Sequence, residues 1–121
     1  MSNRLALRIT AMMGFLAVAL GAFGAHGLKE LLAQNGTTGI WEKAVFYHFV
    51  HVLVMLVLGL RPEFIRGVWI SLLIGVLVFS GSLYLLAVTG LKWLGAVTPI
   101  GGVALLVGWA WLAIQIGKKK C

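Results

Sequence analysis

Charge is what this chain has least of. Only 11% of its 121 residues are Asp, Glu, Lys or Arg, against about 25% in an ordinary soluble domain. Aspartate is absent altogether, and the 3 acidic residues, Glu30, Glu42 and Glu63, face 10 Lys and Arg. With so few acids, all outside the uncharged stretches, no nucleophile with a base and an orienting acid can be assembled, so an enzyme is not expected. The 1 cysteine, Cys121, excludes an internal disulfide scaffold and reads as a plain tail residue. The 2 prolines, and the 16 glycines without a three-residue period, exclude collagen-like and proline-rich repeats. What is present is apolar: 61% of the residues are hydrophobic. A soluble fold this small leaves too much of its chain facing solvent to hide that surface, and a disordered chain would be polar. The composition points to an integral membrane protein.

Residues 9–28, 44–60, 67–91 and 93–117 are uncharged stretches of 20, 17, 25 and 25 residues. At about 1.5 Å per residue each can cross the hydrocarbon core as a helix, and none shows the strand-length alternation of a barrel. The expected fold class is an all-α membrane protein. Its single domain, 1–121, is an antiparallel four-helix bundle with spans near 9–28, 42–60, 67–90 and 95–117. The second, short span borrows a turn from Trp41, Glu42 and Lys43, whose side chains can reach back to the headgroups.

Arg4, Arg8, Arg61, Arg66, Lys118, Lys119 and Lys120 fall on one side of this map and Lys29, Lys43 and Lys92 on the other. The positive-inside rule then places both termini in the cytoplasm. No basic face is separable from the membrane flanks, so nucleic acid is not an expected partner. Trp41 and Trp93 map to the outer boundary and Trp69, Trp109 and Trp111 near the inner one, as aromatic belts. The rival reading of the first stretch is a cleaved signal peptide, but its apolar run is long for a signal core.

The segment LKELLA (28–33) keeps helical composition, so the first helix is expected to continue at the interface until the turn dipeptide Asn35-Gly36. A new helical start is expected near Gly39. Asn35-Gly36-Thr37 also matches a glycosylation sequon, a pattern common by chance. Pro62 closes the second span, because proline cannot continue the ladder and pushes the preceding residue to extended geometry. At Thr98-Pro99 two readings stay open. Either a helix begins there inside the membrane, capped by Thr98 after an irregular segment at 91–97, or a continuous helix kinks at Pro99.

With the spans alternating in direction, His26, Tyr47, His48, His51, Ser80, Ser82, Tyr84 and Thr98 all map to the outer leaflet. His51 and Tyr84 lie about 12 Å below the outer boundary. The inner half offers only Thr10, Ser71 and Gln115 among aliphatic residues. Ala44, Tyr47, His48, His51 and Met55 follow the spacing of one helix face, which must turn inward because lipid is a costly neighbour for imidazole. His26, His48 and His51 are the candidate ligands for a metal or haem, yet no Glu, Asp or Cys accompanies them in the spans. A hydrogen-bonded network, a metal or haem site, and a polar ligand or proton path all remain open, and no particular cofactor is indicated. Small residues at helical spacing, Gly14, Ala17, Gly21, Gly24 and Ala25 early and Gly101, Ala104 and Gly108 late, supply faces for close packing.

Four strings carry a family likeness: VALGAFGAHGL (18–28), Tyr47 with His51, FSGSLYLLAVTG (79–90) and TPIGGVALLVGW (98–109). In this order they resemble the domain of unknown function 423 family, which includes bacterial inner-membrane proteins and transmembrane protein 256-like proteins of animals. The resemblance implies a small multi-helix protein of a bacterial inner membrane, without an assigned activity or a catalytic residue to transfer. It singles out His26, Tyr47, His51, Ser80, Gly81, Ser82, Tyr84, Thr98, Pro99, Gly101 and Gly102 as motif positions. The expected function is a non-enzymatic bundle, in contact with the lipid bilayer and with copies of itself or a membrane-protein partner. Its outer polar layer would bind a small ligand, ion or lipid headgroup. The alternatives are a structural or accessory subunit of a membrane complex, or a metal- or haem-binding bundle. A transporter is cramped in four short helices with no evident inverted repeat.

Overall fold

The computed structural model describes residues 3–118, so Lys119, Lys120 and Cys121 lie outside the described residues. Within them the chain is all-helical: α1 (Asn3–Ala25), α2 (Lys29–Asn35), α3 (Thr38–Leu60), α4 (Arg66–Thr89), a 3₁₀ turn at Lys92–Ala96, and α5 (Thr98–Gly117). Four segments are long and apolar enough to cross a membrane: α1, α3, α4 and the stretch Lys92–Gly117.

Helix ends do not follow the ends of the uncharged stretches. α1 takes in Arg4 and Arg8, and α3 begins before Glu42 and Lys43. A charged side chain costs a helix little when its head can reach water, so charge marks the depth of a span and not its terminus. The actual stops are backbone devices. Gly36 at φ +67° and Gly90 at φ +73° close α2 and α4 in the left-handed region that suits glycine. Arg61, held at φ −70° and ψ 142° ahead of Pro62, ends α3. The first helix does not run on to Asn35: a turn at residues 26–28 separates α1 from α2, with the Leu28 amide bonded to the Phe23 carbonyl at 2.9 Å.

At the last span the chain breaks. The 3₁₀ turn precedes α5, which starts at Thr98 with Pro99 in its first turn, and no kinked continuous helix runs through Pro99. Thr98 is not a cap, however. Its hydroxyl reaches back to the Leu94 carbonyl and across to Ser82.

The long helices pack in the order α1, α3, α4, α5, and no close backbone approach joins α1 to α4 or α5 among the described residues. The backbone contacts thus leave α1 and α5 apart, while side chains also join α1 to α4, through Thr10 and Trp69, and α3 to α5, through His51 and Trp109. The main core gathers Met13, Met55, Leu58, Trp69, Leu72 and Leu105, among others. A smaller one, Leu32, Trp41 and Ala87, fastens the α2 end. Two tryptophans assigned to the aromatic belts are core residues: Trp41 is 4% exposed and Trp69 fully buried. Each found a hydrogen-bond acceptor on α1 for its indole N–H, which is the condition under which a buried indole is tolerated.

A polar seam between the helices

Starting from α3, the stripe Trp41, Ala44, His48, His51 and Met55 is buried and faces inward. Each residue lies three or four after the last, so the side chains share one face. Tyr47 leaves this stripe. It is exposed, and its ring packs on Phe79 with centroids 4.7 Å apart.

His51 is held at both ring nitrogens. Nδ1 lies 2.7 Å from the Tyr47 carbonyl and Nε2 accepts from the Trp109 indole at 3.0 Å. A carbonyl only accepts and an indole N–H only donates, so these partners fix the neutral tautomer with its proton on Nδ1. Neither nitrogen is left for a metal. His48 differs: its Nδ1 meets the Tyr84 hydroxyl at 2.8 Å, while Nε2 is buried with no hydrogen-bond partner among the described residues. Tyr84 is packed in turn on Trp41, whose indole donates to the Leu20 carbonyl at 3.0 Å.

The hydroxyls of α4 are used between helices. Ser80 donates to the Ala44 carbonyl of α3 at 2.8 Å. Ser82 lies 2.6 Å from the Thr98 hydroxyl of α5 and 2.9 Å from the Phe79 carbonyl. A helix whose neighbours are lipid satisfies its backbone alone, but a hydroxyl at that depth needs a protein partner, and here the adjacent helix supplies it.

Of the eight residues expected in one layer, seven lie along these seams in separate clusters. His26 does not join them: it is exposed, in the turn after α1. The three histidines do not converge, and no group of three metal-ligating side chains exists among the described residues. His48 instead opens on a cleft of about 170 Å³ between α1 and α4, lined also by Met13, Leu20, Ser80 and Tyr84.

Several polar contacts escaped the sequence reading. Trp41 was legible, since it lies two turns before His48 on the same face, but nearness to a span end points to a belt. Trp109 has no such signal, because its partner His51 lies 58 positions away. Thr10 accepts from the Trp69 indole at 3.0 Å, which places a buried polar contact in the half expected to be almost wholly aliphatic. At the far end Asn35 donates to the Ala87 and Val88 carbonyls, and Thr37 to Ala87 at 2.7 Å. The sequon asparagine is therefore a staple over the last turn of α4.

The family model described as protein of unknown function (DUF423) matches residues 20–102. The chain is 46% identical over 112 residues to a UPF0382 membrane protein of Staphylococcus epidermidis, covering 89% of this chain and 91% of that one. It is 40% identical to a UPF0382 membrane protein of Haemophilus influenzae across 94% of both chains. It is 37% identical to the UPF0382 inner membrane protein YgdD of Escherichia coli, covering 98% of this chain and 96% of that one. No solved structure matches it.

Proposed function

The chain belongs to the DUF423 family, and from that premise we propose a non-enzymatic structural or accessory protein of the bacterial inner membrane. Its helices run antiparallel with both termini cytoplasmic, and its polar residues lock the helices together instead of holding a ligand. The observation that carries this reading is His51, whose two ring nitrogens are both consumed inside the protein, between the Tyr47 carbonyl and the Trp109 indole. Ser80, Ser82 and Thr98 are likewise engaged with neighbouring backbone or with each other. Groups so paired stabilise helix contacts in lipid and leave little to offer a solute. The function then lies in the faces the helices present to copies of the protein or to a membrane-protein partner.

The test has two parts. Protein purified in mild detergent is weighed intact: a stoichiometric protein partner, or a defined number of its own copies, with no small molecule supports the reading. A small molecule that is lost in His51→Leu while the melting temperature stays unchanged would overturn it. Orientation is read from Cys121, the sequence's own thiol. A membrane-impermeant maleimide added to whole cells should leave it unlabelled, and efficient labelling would place the C-terminus outside.

One observation favours a second reading. His48 lines the cleft between α1 and α4, and its buried Nε2 has no hydrogen-bond partner among the described residues, so a small molecule that enters beside it with a single hydrogen-bonding atom would satisfy it. That reading predicts bound density or mass at His48 which His48→Phe removes; an empty cleft in the native protein discards it.

A further inference from the structure

A different face of the molecule carries a groove that meets the polar seam only at Trp41. On the side of the α1–α3 contact turned away from α4, a groove of about 570 Å³ is walled by Gly21 and Gly24 of α1 and by Val45, Phe46 and Phe49 of α3. Its floor is Trp41, whose indole N–H is already spent on the Leu20 carbonyl, so the floor is apolar too. A second trough of about 640 Å³ lies along the same two helices past Gly14 and Val18, and Phe49 borders both. From Gly24 to Thr10 the two hollows together extend about 21 Å at the helical rise, well over half of a hydrocarbon core of about 30 Å.

The rim is not apolar. Lys29 of α2 and Glu42 of α3 both border the upper groove, and both are exposed. Among the described residues no salt bridge joins them, so each keeps its charge for something else at the same mouth. A cation and a carboxylate on the rim of one groove, above hollows long enough for a hydrocarbon tail, make a two-charge pattern. A lysine alone would suit any anionic headgroup; a carboxylate on the same rim repels a second negative charge and accepts hydrogen bonds from an ammonium.

We propose that this groove seats one phospholipid whose headgroup carries a phosphate and a primary ammonium, with the phosphate at Lys29, the ammonium at Glu42 and one acyl chain along the trough. A quaternary ammonium lacks the N–H groups that Glu42 would accept, and a glycerol headgroup lacks the positive charge. The proposal does not depend on whether the polar seam locks helices or holds a solute.

Full-length protein in detergent is titrated with phosphatidylethanolamine, phosphatidylcholine or phosphatidylglycerol of equal chain length, and bound lipid is counted by intact mass. Phosphatidylethanolamine is expected to be retained roughly fivefold better than either rival, the ratio set by one partly exposed ion pair. Lys29→Ala lowers retention of phosphatidylethanolamine and phosphatidylglycerol alike. Glu42→Ala abolishes the preference for ethanolamine and raises phosphatidylglycerol. Ala25→Phe, which places a ring at the groove lining, reduces all three. Equal retention of the three lipids by the unmodified protein overturns the proposal with no variant needed, as does a preference that survives Glu42→Ala in a protein of unchanged melting temperature.

Discussion

The α4–α5 seam and the α1–α3 seam are built from the same material, a helix face of small residues laid against a neighbour, yet one closes and the other leaves a channel. At Gly101 of α5, an added methyl would run into the backbone of Phe79 on α4. Gly75 and Gly108 are pressed against Leu105 and Leu72 across the same seam. On the other side the fit is tight only at the two ends, where a methyl on Gly24 would run into the Trp41 ring and one on Gly59 into Leu7; between them a methyl on Gly14 or Gly21 would meet only the tips of Val52 and Val45, at 3.4 and 3.3 Å. Hydroxyl contacts reinforce the contrast: Ser71 donates to the Ala104 carbonyl at 2.7 Å and Ser82 pairs with Thr98, whereas α1 and α3 share Trp41's bond to Leu20 near one end and a long 3.5 Å contact from Asn3 to Gly59 at the other. Small residues therefore permit a close approach without enforcing one. The partner's backbone position and a pair of hydrogen bonds decide it.

This contrast can be broken by substitution. Gly101→Ala is expected to cost about 3 kcal/mol, at the upper end for overpacking, because the obstacle is backbone and cannot rotate away. It should appear as a large fall in thermal midpoint of the detergent-solubilised protein, and an unchanged midpoint would remove the distinction between the seams. Trp109→Phe comes next, at about 1–2 kcal/mol, since it strands the buried acceptor of His51 between α3 and α5. His51→Leu in that background should cost less than in the native protein; simple additivity of the two losses would show that the bond is not what couples them. Asn35→Ala follows at about 1 kcal/mol, from loss of the bonds to the last carbonyls of α4, read as faster hydrogen exchange in that turn. Gly14→Ala is the smallest and of opposite sign. Alanine gains up to about 1 kcal/mol of helix propensity with room for its methyl, so the midpoint should hold or rise.

How far the sequence could be read depends on the range of the interaction. The inward stripe of His48 and His51 was legible because it repeats within one helix at fixed spacing. The helix break before Thr98 was one of two readings open at Thr98-Pro99, since both turn on residues adjacent in the chain. The role of Thr98 was not: its hydroxyl serves Ser82 on another helix, where local pattern had assigned it to its own. Trp69 was misplaced for a related reason. Nearness to the end of an apolar run suggests the headgroups, but Thr10 on α1 offered its indole an acceptor within the core. His26 belongs to a family-like motif, yet a turn at residues 26–28 carries it out to the surface.

Four helices apolar enough to cross a membrane, and the stop that Pro62 puts to the second of them, were determined by the sequence alone. Hydropathy and backbone preference are sums over neighbours in the chain, and lipid, offering no hydrogen bonds of its own, leaves helix as the only answer for such runs. Only the tertiary structure decided that α1 and α5 do not meet, that one glycine face closes while another opens into a groove, and that His51 is neutral with its proton on Nδ1. Those outcomes are matches between single atoms tens of residues apart. Apolar side chains attract without direction and fit many arrangements nearly equally well, so the choice among them falls to the few contacts, a carbonyl under an indole or a backbone against a bare Cα, that have a direction or no room.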